Sequence, residues 1–485
     1  MIYLESLEIQ KYGGSSVACA EALMQSASVV VNSLRQGTAT LVVVSAMEGM
    51  TEWLQRQIAS TVTFGYKGGD VFLRNSSLHH SLIEEVVEPG RKLDLHQRVD
   101  DYITEATGYV EAMAKLGSLS PRHYDWICAR LGEGLMAPIF TAHLQGCGVD
   151  AKYYDAAEVI VTDGVFGNAN PSITATRERI KFDFMRDLTG GKVLVMGGYY
   201  GAGNNKHETT FSRGGSDLTA TTMGHASSPF FNDISVYLYK ADVAGVMSAD
   251  PKVVVSPHIV PHMLYDEAGA LTALGGKVIH PKAIHHAVRA GSAKRPPITI
   301  YVKSTLDPNS SGTVIDNQER PDDDPVKAIS IIKNAVSLEV RGWGMNQPGI
   351  MSKITAAIAG RGLDIDFINQ PHSKLALNLA FQFAGKEADL ERLVKEILGH
   401  EIKANDIDMV KARRVGVVGV IGRGLSDPLV LGKVIAGMNG DFPELKKSNA
   451  YQFASGAFEA SILVDLPEDR LNQLAQSIHD SVFGN

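Results

Sequence analysis

The sequence has few cysteines and no long apolar run. Its 485 residues contain only Cys19, Cys128 and Cys147, which are too few and too widely spaced for a disulfide framework and form no C-x-x-C pair of the kind that binds zinc. A membrane-spanning helix needs about eighteen consecutive apolar residues, and no stretch of the sequence comes near that length. The N-terminus also lacks the charged and apolar regions of a signal peptide. These absences predict a protein of the reducing cytoplasm that has no membrane segment.

An excess of basic residues is also missing. The formal net charge is −8, so the overall charge does not favour nucleic acid or an anionic membrane as a partner, although a local basic pocket could still hold a phosphate. Hydrophobic residues make up 44% of the chain, which is enough for several buried cores. The length corresponds to about three domains. The composition therefore predicts a globular protein with no polymer partner.

The first part of the chain alternates strand-like and helical patterns. In the segment Ala20–Leu34, apolar residues recur at helical spacing and form one buried stripe. This alternation predicts an α/β fold in which a mostly parallel sheet is sandwiched by helices. A long helical stretch is expected between about residues 68 and 146. The strand-like runs are Leu7–Lys11, Thr40–Ser45, Val193–Met196, Ile234–Leu238 and Ile298–Val302.

Polar and proline-rich residues between Asp307 and Pro325 predict a domain boundary. Beyond it, a pattern of about seventy residues runs twice in the order of a split βαβ unit, βαββαβ, which predicts two ferredoxin-like domains. The predicted boundaries are 1–306 for the first domain, 307–330 for a linker, and 331–412 and 413–485 for the two small domains. The predicted strands are Val336–Val340, Asp364–Ile368, Leu375–Phe383, Ile407–Lys411, Val415–Ile421, Tyr451–Ala454 and Ala457–Val464.

A glycine turn at residues 209–220 has the residues of an anion site. Arg213 supplies a planar fork for a carboxylate or phosphate, Gly214 and Gly215 let the backbone approach a ligand, and Asp217 could hold an ammonium or a metal. A small zwitterion would suit such a turn. Glycine-serine-aspartate runs are more often ordinary turns, so this segment alone leaves both interpretations open.

A second glycine turn follows the first strand-like run. The sequence Lys11-Tyr-Gly-Gly-Ser-Ser lies where a strand ends and a helix begins, so the amides of residues 13–16 could form a cradle for a phosphate and Lys11 could add a positive charge. A plain strand-to-helix turn with serine caps explains the same residues equally well. The common P-loop is excluded, because no Gly-Lys pair of the chain is followed by Ser or Thr.

Two further loops carry charged residues near glycines. Asp242, Asp250 and Lys252 follow an apolar strand and are expected at the carboxyl edge of the sheet, where ligands of open α/β sheets gather. Lys277 lies on another glycine turn, although a lone lysine is more often solvated. His280 and its neighbours lack a carboxylate or cysteine to complete a metal site, so capping or packing is the favoured role and no metal site is predicted.

Taken in order along the chain, these segments resemble the aspartokinase branch of the amino acid kinase family. The resemblance covers nearly the whole chain, and the two small domains look like the paired ACT domains of that branch. It rests on the segments Lys11-Tyr-Gly-Gly-Ser-Ser, Val44-Ser-Ala-Met-Glu-Gly-Met-Thr51, Gly132-Glu133, Thr162-Asp-Gly-Val-Phe-Gly-Asn-Ala, Ser212-Arg-Gly-Gly-Ser-Asp, Ala241-Asp-Val-Ala-Gly-Val, Ala249-Asp-Pro, Gly276-Lys-Val-Ile-His-Pro and Gly344-Met-Asn-Gln-Pro-Gly-Ile.

The resemblance implies transfer of the γ-phosphoryl group of ATP, with Mg²⁺, to the β-carboxylate of L-aspartate. Lys11 would stabilise the transferring group and Asp217 would organise the active-site charges. Within the aspartate pocket, Arg213 would bind a carboxylate and Glu133 the ammonium group. The full implied set for aspartate is Ser45, Glu133, Phe166, Arg213, Gly214, Gly215 and Ser216, and for the nucleotide Lys11, Gly13, Gly14, Ser15, Ala241, Asp242, Met247, Lys252, Gly276 and Lys277.

The chain departs from the family pattern mainly on the nucleotide side. Ala241 replaces a usual threonine, Met247 a usual tyrosine and Lys252 a usual arginine. Lysine does not replace arginine at a bidentate site, and methionine has no phenol hydroxyl. Weakened ATP affinity or altered nucleotide choice is therefore a hypothesis that follows from these three positions.

The resemblance also implies feedback control by an end-product amino acid, lysine or threonine, and a homodimer formed through the ACT domains. The expected effector pocket is formed by Met345, Asn346, Gly349, Ile350, Asp364 and Ile365. The retained lysine, arginine and aspartate residues disfavour a non-catalytic amino-acid sensor. A kinase for another amino acid and an aspartokinase of a specialised pathway stay open as alternatives.

Overall fold

The computed structural model describes residues 6–65, 71–241, 243–276, 279–293, 295–370, 375–439, 442–446 and 451–484. By packing, the chain divides into two compact units. The first unit comprises Met1–Val246, Pro261–Tyr265 and Ile279–Gln318, and the second unit comprises Met247–Val260, Asp266–Val278 and Glu319–Asn485. This grouping reflects packing, and the sequence boundaries given above stay a prediction.

Strands and helices alternate in the first part of the chain, as the sequence pattern predicts. The strands there are β1 (Ser6–Tyr12), β2 (Thr38–Val44), β3 (Ala151–Tyr154), β4 (Val193–Gly197), β5 (Tyr200–Ala202), β6 (Glu208–Thr210), β7 (Asp233–Lys240), β8 (His262–Leu264), β9 (Thr299–Ser304) and β10 (Thr313–Asp316). The helices are α1 (Ala20–Ser33), α2 (Met50–Phe64), α3 (Leu73–Val86), α4 (Pro89–Leu116), α5 (Pro121–Leu131), α6 (Glu133–Gly146), α7 (Ala156–Val159), α8 (Ile173–Ile180), α9 (Asp183–Thr189), α10 (Gly215–Ser227), α11 (Tyr265–Ala273) and α12 (Pro281–Arg289).

Eight of the described strands form one sheet in the order β3-β4-β2-β1-β7-β9-β10-β8. Neighbours from β3 through to β9 are parallel, and β9 pairs antiparallel with β10. The mostly parallel sheet is therefore confirmed. Because Lys11 of β1 aligns with Val43 of β2 and Leu238 of β7, the carboxyl ends of these three strands lie at one edge.

Helices α6 and α10 cover opposite faces of this sheet. Tyr12 of β1 packs against Phe140 of α6 with ring centroids 5.7 Å apart. Ile9 of the same strand faces α10, where a Cβ on Gly224 would lie 3.4 Å from its Cδ1. Since successive side chains of a strand point to opposite faces, Lys11 lies on the α10 side with Ile9.

The second unit contains a sheet of six described strands in the order β12-β13-β11-β14-β16-β15, with every pairing antiparallel. The strands are β11 (Ala328–Arg341), β12 (Phe367–Asn369), β13 (Ala376–Gln382), β14 (Met409–Ile421), β15 (Tyr451–Ser455) and β16 (Glu459–Val464). The helices are α13 (Ile350–Ala359), α14 (Glu387–Ile397), α15 (Gly399–Lys403), α16 (Pro428–Met438) and α17 (Glu468–Phe483).

The two predicted ferredoxin-like sheets are joined by long central strands. The predicted strands Ile407–Lys411 and Val415–Ile421 are one continuous strand, β14, and β11 begins before the predicted Val336–Val340. The two strands pair along almost their whole length, with an irregularity between Ile332 and Ala335. The second repeat has no closing strand of its own in the sequence, and Ala328–Ile332 of β11 supplies it.

Each half of this sheet buries its own core. One core contains Val336, Leu379 and Val394 among others, and the other contains Val418, Ile462 and Leu474. Two segments from before the predicted linker also pack into the second unit. Ile329 donates its amide to the Ser248 carbonyl at 2.7 Å, and Arg423 donates its amide to Glu267 Oε1 at 2.9 Å. Among the described helices, none combines the length and apolar character needed to cross a membrane.

Candidate active site

A cavity of about 770 Å³ lies at the sheet edge where β1 and β2 end. Its wall comes from the residues that follow these strands, from the first turns of α2, and from the starts of α6 and α10. Ligands of open α/β sheets bind at this edge, outside the carboxyl ends of the strands. Of the residues predicted from the sequence, the wall contains Lys11, Gly14, Ser15, Ser45, Glu133, Arg213, Gly214, Gly215 and Ser216.

A buried ion pair lies beside this cavity. Lys11 Nζ is 2.7 Å from Asp217 Oδ1, and each side chain is only 8% exposed. Lys11 reaches the site because it is the last residue but one of β1, while Asp217 lies in the first turn of α10. In this low-dielectric position Asp217 fixes the direction of the ammonium group that lines the cavity.

The glycine turn before α10 depends on its missing side chains. Gly214 has φ +82°, a conformation that glycine adopts without strain, and it caps the N-terminus of α10. A Cβ on Gly215 would lie 2.7 Å from Phe211 Cβ, and a Cβ on Gly198 would lie 2.5 Å from Ser216 Cβ. The turn therefore brings the α10 amides and Ser216 close to the cavity, as an anion site requires.

Two hydroxyl groups meet within the cavity wall. Ser45 Oγ donates to Ser216 Oγ at 2.8 Å, and the Ser45 amide donates to the Tyr12 carbonyl at 3.1 Å. The first contact joins the end of β2 to the start of α10. Ser45 and Ser216, which lie 171 positions apart in sequence, therefore form one polar patch of the wall.

Glu133 is a carboxyl group without a full set of partners. It is 3% exposed, and burial raises its pKa to about 8, although the amides of Glu133 and Ala46 and the nearby Lys11 charge oppose that shift. Among the described residues, its Oε2 has no hydrogen-bond partner. A cationic ligand in the cavity would satisfy this oxygen and favour the ionised form of the group.

Arg213 lies at the exposed part of the wall. Its side chain is 84% exposed, and Nη2 is 3.7 Å from Glu52 Oε1 on α2. A contact of this length between exposed groups is weak. The guanidinium group therefore keeps its fork available for an anionic ligand.

Two of the four amides in the predicted phosphate cradle after β1 already donate to backbone carbonyls. The Gly13 amide donates to the Tyr239 carbonyl at 3.0 Å, and the Ser16 amide donates to the Gly13 carbonyl at 3.0 Å. These two amides are committed because β1 pairs with β7 up to Tyr12 and a short 3-10 helix starts at Gly14. Of the four residues of the predicted cradle, only Gly14 and Ser15 line the cavity.

Phe166 does not line the cavity, whereas Tyr199 does. The loop of Phe166 is held elsewhere, since the Gly167 amide donates to Asp125 Oδ2 at 2.8 Å. Tyr199 has φ +71°, which is unusual for a residue other than glycine, and its side chain is largely buried. The sequence analysis did not select Tyr199, although the glycines on both sides of the Tyr199–Tyr200 pair after β4 could have indicated a residue at the site.

The residues predicted to contact the nucleotide fall into three groups. The Ala241 amide donates to Ser15 Oγ at 3.3 Å, which joins the end of β7 to the cavity wall. Met247, Lys252 and Gly276 belong to the second unit. Lys252 is exposed, and its amide donates to Asp250 Oδ1 at 2.8 Å. Asp242 and Lys277 lie outside the described residues.

The residues predicted for an effector pocket lie around the start of α13. Gly349 has φ +93° and caps that helix, and Asn346 ends a 3-10 helix before it. The side chains of Met345 and Ile350 are 3% and 2% exposed and belong to the core of the first half of the sheet. Their side chains are therefore part of that core. Asp364 and Ile365 lie just before β12, where Asp364 is exposed and Ile365 half-buried.

His280 has the capping role that the sequence favours. Its Nδ1 accepts the Lys282 amide at the start of α12, and its Nε2 is 2.8 Å from Ser212 Oγ beside the glycine turn. Burial lowers the pKa of this imidazole. Within the part of the chain that the structure describes, no group of three or more His, Cys, Asp or Glu residues is arranged to hold a metal ion.

Comparisons by sequence and by fold lead to the same group of known proteins. The Amino acid kinase family matches residues 7–303. The chain is 26% identical to lysine-sensitive aspartokinase 3 of Escherichia coli (strain K12), over 99% of this chain and 100% of that protein, and 26% identical to chloroplastic aspartokinase 3 of Arabidopsis thaliana, over 98% and 81%. In fold it resembles E. coli aspartokinase III in complex with aspartate and ADP, with a TM-score of 0.78, 24% identity and coverage of 98% and 100%.

Proposed function

The chain belongs to the amino acid kinase family, and on that premise we propose that it is an aspartate kinase that transfers the γ-phosphoryl group of ATP to the β-carboxylate of L-aspartate. The products are 4-phospho-L-aspartate and ADP. The observation that carries the proposal is the buried Lys11–Asp217 pair beside a cavity that also contains Glu133 and the glycine turn of Arg213. The aspartokinase relatives match almost the whole chain, which supports the choice of acceptor.

Lys11 would stabilise the phosphoryl group during transfer. The β-carboxylate of aspartate is already ionised at pH 7, so the reaction needs no general base, and positioning together with charge stabilisation supplies most of the rate. Asp217 holds the Lys11 ammonium group at 2.7 Å and so fixes it before the substrates bind. This preorganisation is worth most in a buried site such as this one.

The other cavity residues suit a zwitterion. Glu133 would accept the substrate ammonium group through the oxygen that lacks a partner, and Arg213 would bind a carboxylate. Ser45 and Ser216 form the polar wall between these two charges. Because opposite charges are provided for the two ends of the ligand, the pocket would select an amino acid over a simple carboxylate.

ATP would use the cradle of Gly14 and Ser15, joined to Ala241. Magnesium bound to ATP would neutralise the phosphate oxygens. The cavity wall carries the carboxylates of Glu48, Glu52 and Glu133, and Mg²⁺ is usually held by substrate phosphates with one or two carboxylates and not by a dedicated group of protein ligands. The substitutions at Ala241, Met247 and Lys252 support a weaker or altered nucleotide preference, which KM values for ATP and GTP would measure.

The central experiment tests the reaction and Lys11 together. The purified protein is given ATP, Mg²⁺ and L-aspartate, and acyl phosphate is trapped as the hydroxamate. We expect aspartate-dependent product in the wild type and a kcat about a hundredfold or more lower in Lys11→Ala, with a smaller effect on KM for ATP. Lys92→Ala is the control, since Lys92 of α4 pairs with Glu84 of α3 and neither residue lines the cavity.

The outcomes of this experiment separate the alternatives. Product with L-glutamate in place of L-aspartate would identify a kinase for another amino acid. Absence of product with either acceptor would favour a non-catalytic sensor. A folded Lys11→Ala protein with kcat near the wild-type value would overturn the role of Lys11. Membership of a biosynthetic pathway is not tested by this assay, and we propose the first step of lysine, threonine and methionine synthesis on family grounds.

We further propose that the second unit binds an inhibitory amino acid and forms a homodimer. The split βαβ repeats and the glycine-capped start of α13 support a ligand pocket there, and an E. coli relative is described as lysine-sensitive. Titration calorimetry with lysine and with threonine tests this proposal, and sedimentation measures the dimer. Binding of neither amino acid would remove feedback control from the proposed function.

A further inference from the structure

Helices α5 and α6 are joined by the single residue Gly132. Its backbone, with φ −94° and ψ −104°, is not helical, so the hydrogen bonds of α5 do not continue into α6. The Leu135 amide, which would donate to Leu131 in an unbroken helix, donates to the Gly132 carbonyl at 3.3 Å. The Leu131 carbonyl therefore has no helical donor, although Leu131 is fully buried.

Asn75 of α3 supplies the missing donor. Its Nδ2 donates to the Leu131 carbonyl at 2.9 Å, and Asn75 is fully buried. The nitrogen of the side chain must face Leu131, because a carbonyl oxygen only accepts. A buried carbonyl without a donor is unfavourable, so this hydrogen bond fixes the place where α5 ends.

The same nitrogen of Asn75 also contacts the start of α2. It lies 3.2 Å from Sδ of Met50, the first residue of that helix, and the first turns of α2 form part of the cavity wall. The thioether sulfur is a weak acceptor. Asn75, which is not part of the wall, therefore contacts both α2 and the junction that leads into α6.

Glu133 of the cavity wall follows this junction directly, as the first residue of α6. Gly132 leaves the chain little room to adjust between the two helices. A Cβ on Gly132 would lie 2.9 Å from the Cys128 carbonyl oxygen and 3.2 Å from Ala46 Cβ. Because Gly132 is packed so tightly, the position of Leu131 determines where Glu133 lies.

The remaining polar atom of Asn75 shows that this side chain is not placed for stability alone. Its Oδ1 is buried and has no hydrogen-bond partner among the residues that the structure describes. A buried polar atom without a partner offsets much of what the Nδ2 hydrogen bond contributes to stability. The main consequence of the Nδ2 bond is therefore geometric, because hydrogen bonds to a carbonyl are directional.

We propose that Asn75 positions Glu133 and the start of α2 in the cavity wall, and so sets how well the site distinguishes an amino acid from a carboxylic acid that has no ammonium group. The inference rests on the proposed function, in which Glu133 accepts the substrate ammonium group. It adds a positioning residue that touches no substrate. All residues of this arrangement belong to the first unit.

The test compares Asn75→Leu and Asn75→Ala with the wild type. Neither variant can donate to Leu131, and leucine branches at the same carbon as asparagine, so an effect that both variants share reports the lost donor. The matched control is His79→Leu, which removes a fully buried polar ring from the same helix. The Nδ1 atom of His79 is 2.8 Å from the Asn75 carbonyl, so this hydrogen bond stays within α3.

The measurements are KM for L-aspartate and for ATP, and the Ki of succinate, which is aspartate without its ammonium group, as an inhibitor that competes with aspartate. The melting temperature checks folding. We expect both Asn75 variants to raise KM for aspartate about fivefold to tenfold, because the ammonium group loses a correctly placed partner. KM for ATP and the Ki of succinate should change little, and His79→Leu should stay near the wild type.

Equal changes in KM for aspartate and in the Ki of succinate would show a general disturbance of the cavity and overturn the inference. A folded Asn75→Leu protein with the same KM for aspartate as His79→Leu would overturn it too. If neither Asn75 variant folds, Asn75 serves stability alone and the inference fails. Wild-type protein that forms no product with aspartate would instead overturn the proposed function.

Discussion

At the scale of single residues, the site depends on how burial controls charge. Lys11 and Asp217 stay close because each neutralises the other out of water, and separating such a pair is costly. Glu133 has no comparable partner, and its raised pKa is the result. The identity of these residues could be predicted from the sequence, but their protonation could not, because burial is a property of the folded chain.

The raised pKa of Glu133 predicts that aspartate binding depends on pH. At pH 7 the free protein holds this group mostly protonated, since its pKa is about 8, and the substrate ammonium group requires the ionised form. Binding must therefore release a proton, so KM for aspartate should fall as pH rises toward 8, by at most about tenfold per pH unit, and then level off. A pH series of KM for aspartate measures this change.

Glu133→Gln is the control for that series. It should bind aspartate weakly, with a KM that no longer falls between pH 6 and about pH 8, because its amide does not ionise in this range. The same slope in Glu133→Gln and the wild type would assign the pH dependence to another group.

The role of Arg213 is tested by its effect on the two substrates. Arg213→Ala should raise KM for aspartate by about tenfold or more, because a charged hydrogen bond to a carboxylate is lost. The KM for ATP should change little. An effect confined to ATP would mean that the aspartate and nucleotide subsites are assigned the wrong way round.

At the scale of elements, the short connections place the site. The turn before α10 needs Gly214 for its left-handed backbone and Gly215 for close packing against Phe211 and Tyr199. The sequence predicts this turn from its glycines. It does not predict Tyr199, because a strained residue with φ +71° is held there by contacts made far away in the chain.

Gly215→Ala should destabilise the protein by about 1–3 kcal/mol, because the added methyl group would lie 2.7 Å from Phe211 Cβ. Its matched control is Gly108→Ala in the middle of α4, where the structure leaves open space and alanine favours the helix. Urea unfolding of both variants gives the comparison. Equal stability of the two would show that the turn can relax to accept a side chain.

Asp125 connects the loop of Gly167 to the end of β6. It is buried on α5, and it accepts the Gly167 amide at 2.8 Å, the Thr210 amide at 2.8 Å and the Thr210 hydroxyl at 3.0 Å. Thr210 ends β6, which leads into the turn of Arg213. Burial raises the pKa of Asp125, and these three hydrogen bonds act against that rise.

Asp125→Ala should lower the unfolding free energy by about 1–3 kcal/mol, since it leaves the buried amide and hydroxyl of Thr210 without their acceptor. It should also raise KM for aspartate more than KM for ATP. Asp187→Asn, which removes a buried carboxylate bound to Lys152 and Tyr154, is the control for a loss of stability without a change in KM. Equal effects of the two variants on KM would remove the positioning role of Asp125.

At the scale of the whole molecule, the order of the segments along the chain differs from the way they pack in the folded protein. The repeat beyond the linker reads as two consecutive βαββαβ units, but β11 and β14 each run through both cores. We expect the isolated fragment 413–485 to show no cooperative thermal unfolding by circular dichroism, because it lacks the strand 328–332. The longer fragment 319–485 contains that strand and should unfold cooperatively. A cooperative transition in the shorter fragment would contradict the shared-strand arrangement.

The sequence by itself determined the α/β class, the parallel sheet, the repeated small domains and most of the polar residues of the cavity, because hydrophobic periodicity and glycine turns are local signals. The tertiary structure alone decided that Tyr199 and not Phe166 lines the cavity, that the amides of Gly13 and Ser16 are committed elsewhere, and that Asn75 donates to the end of α5. Each of these facts depends on contacts between residues distant in the chain, and no local pattern encodes which distant partner a residue will meet.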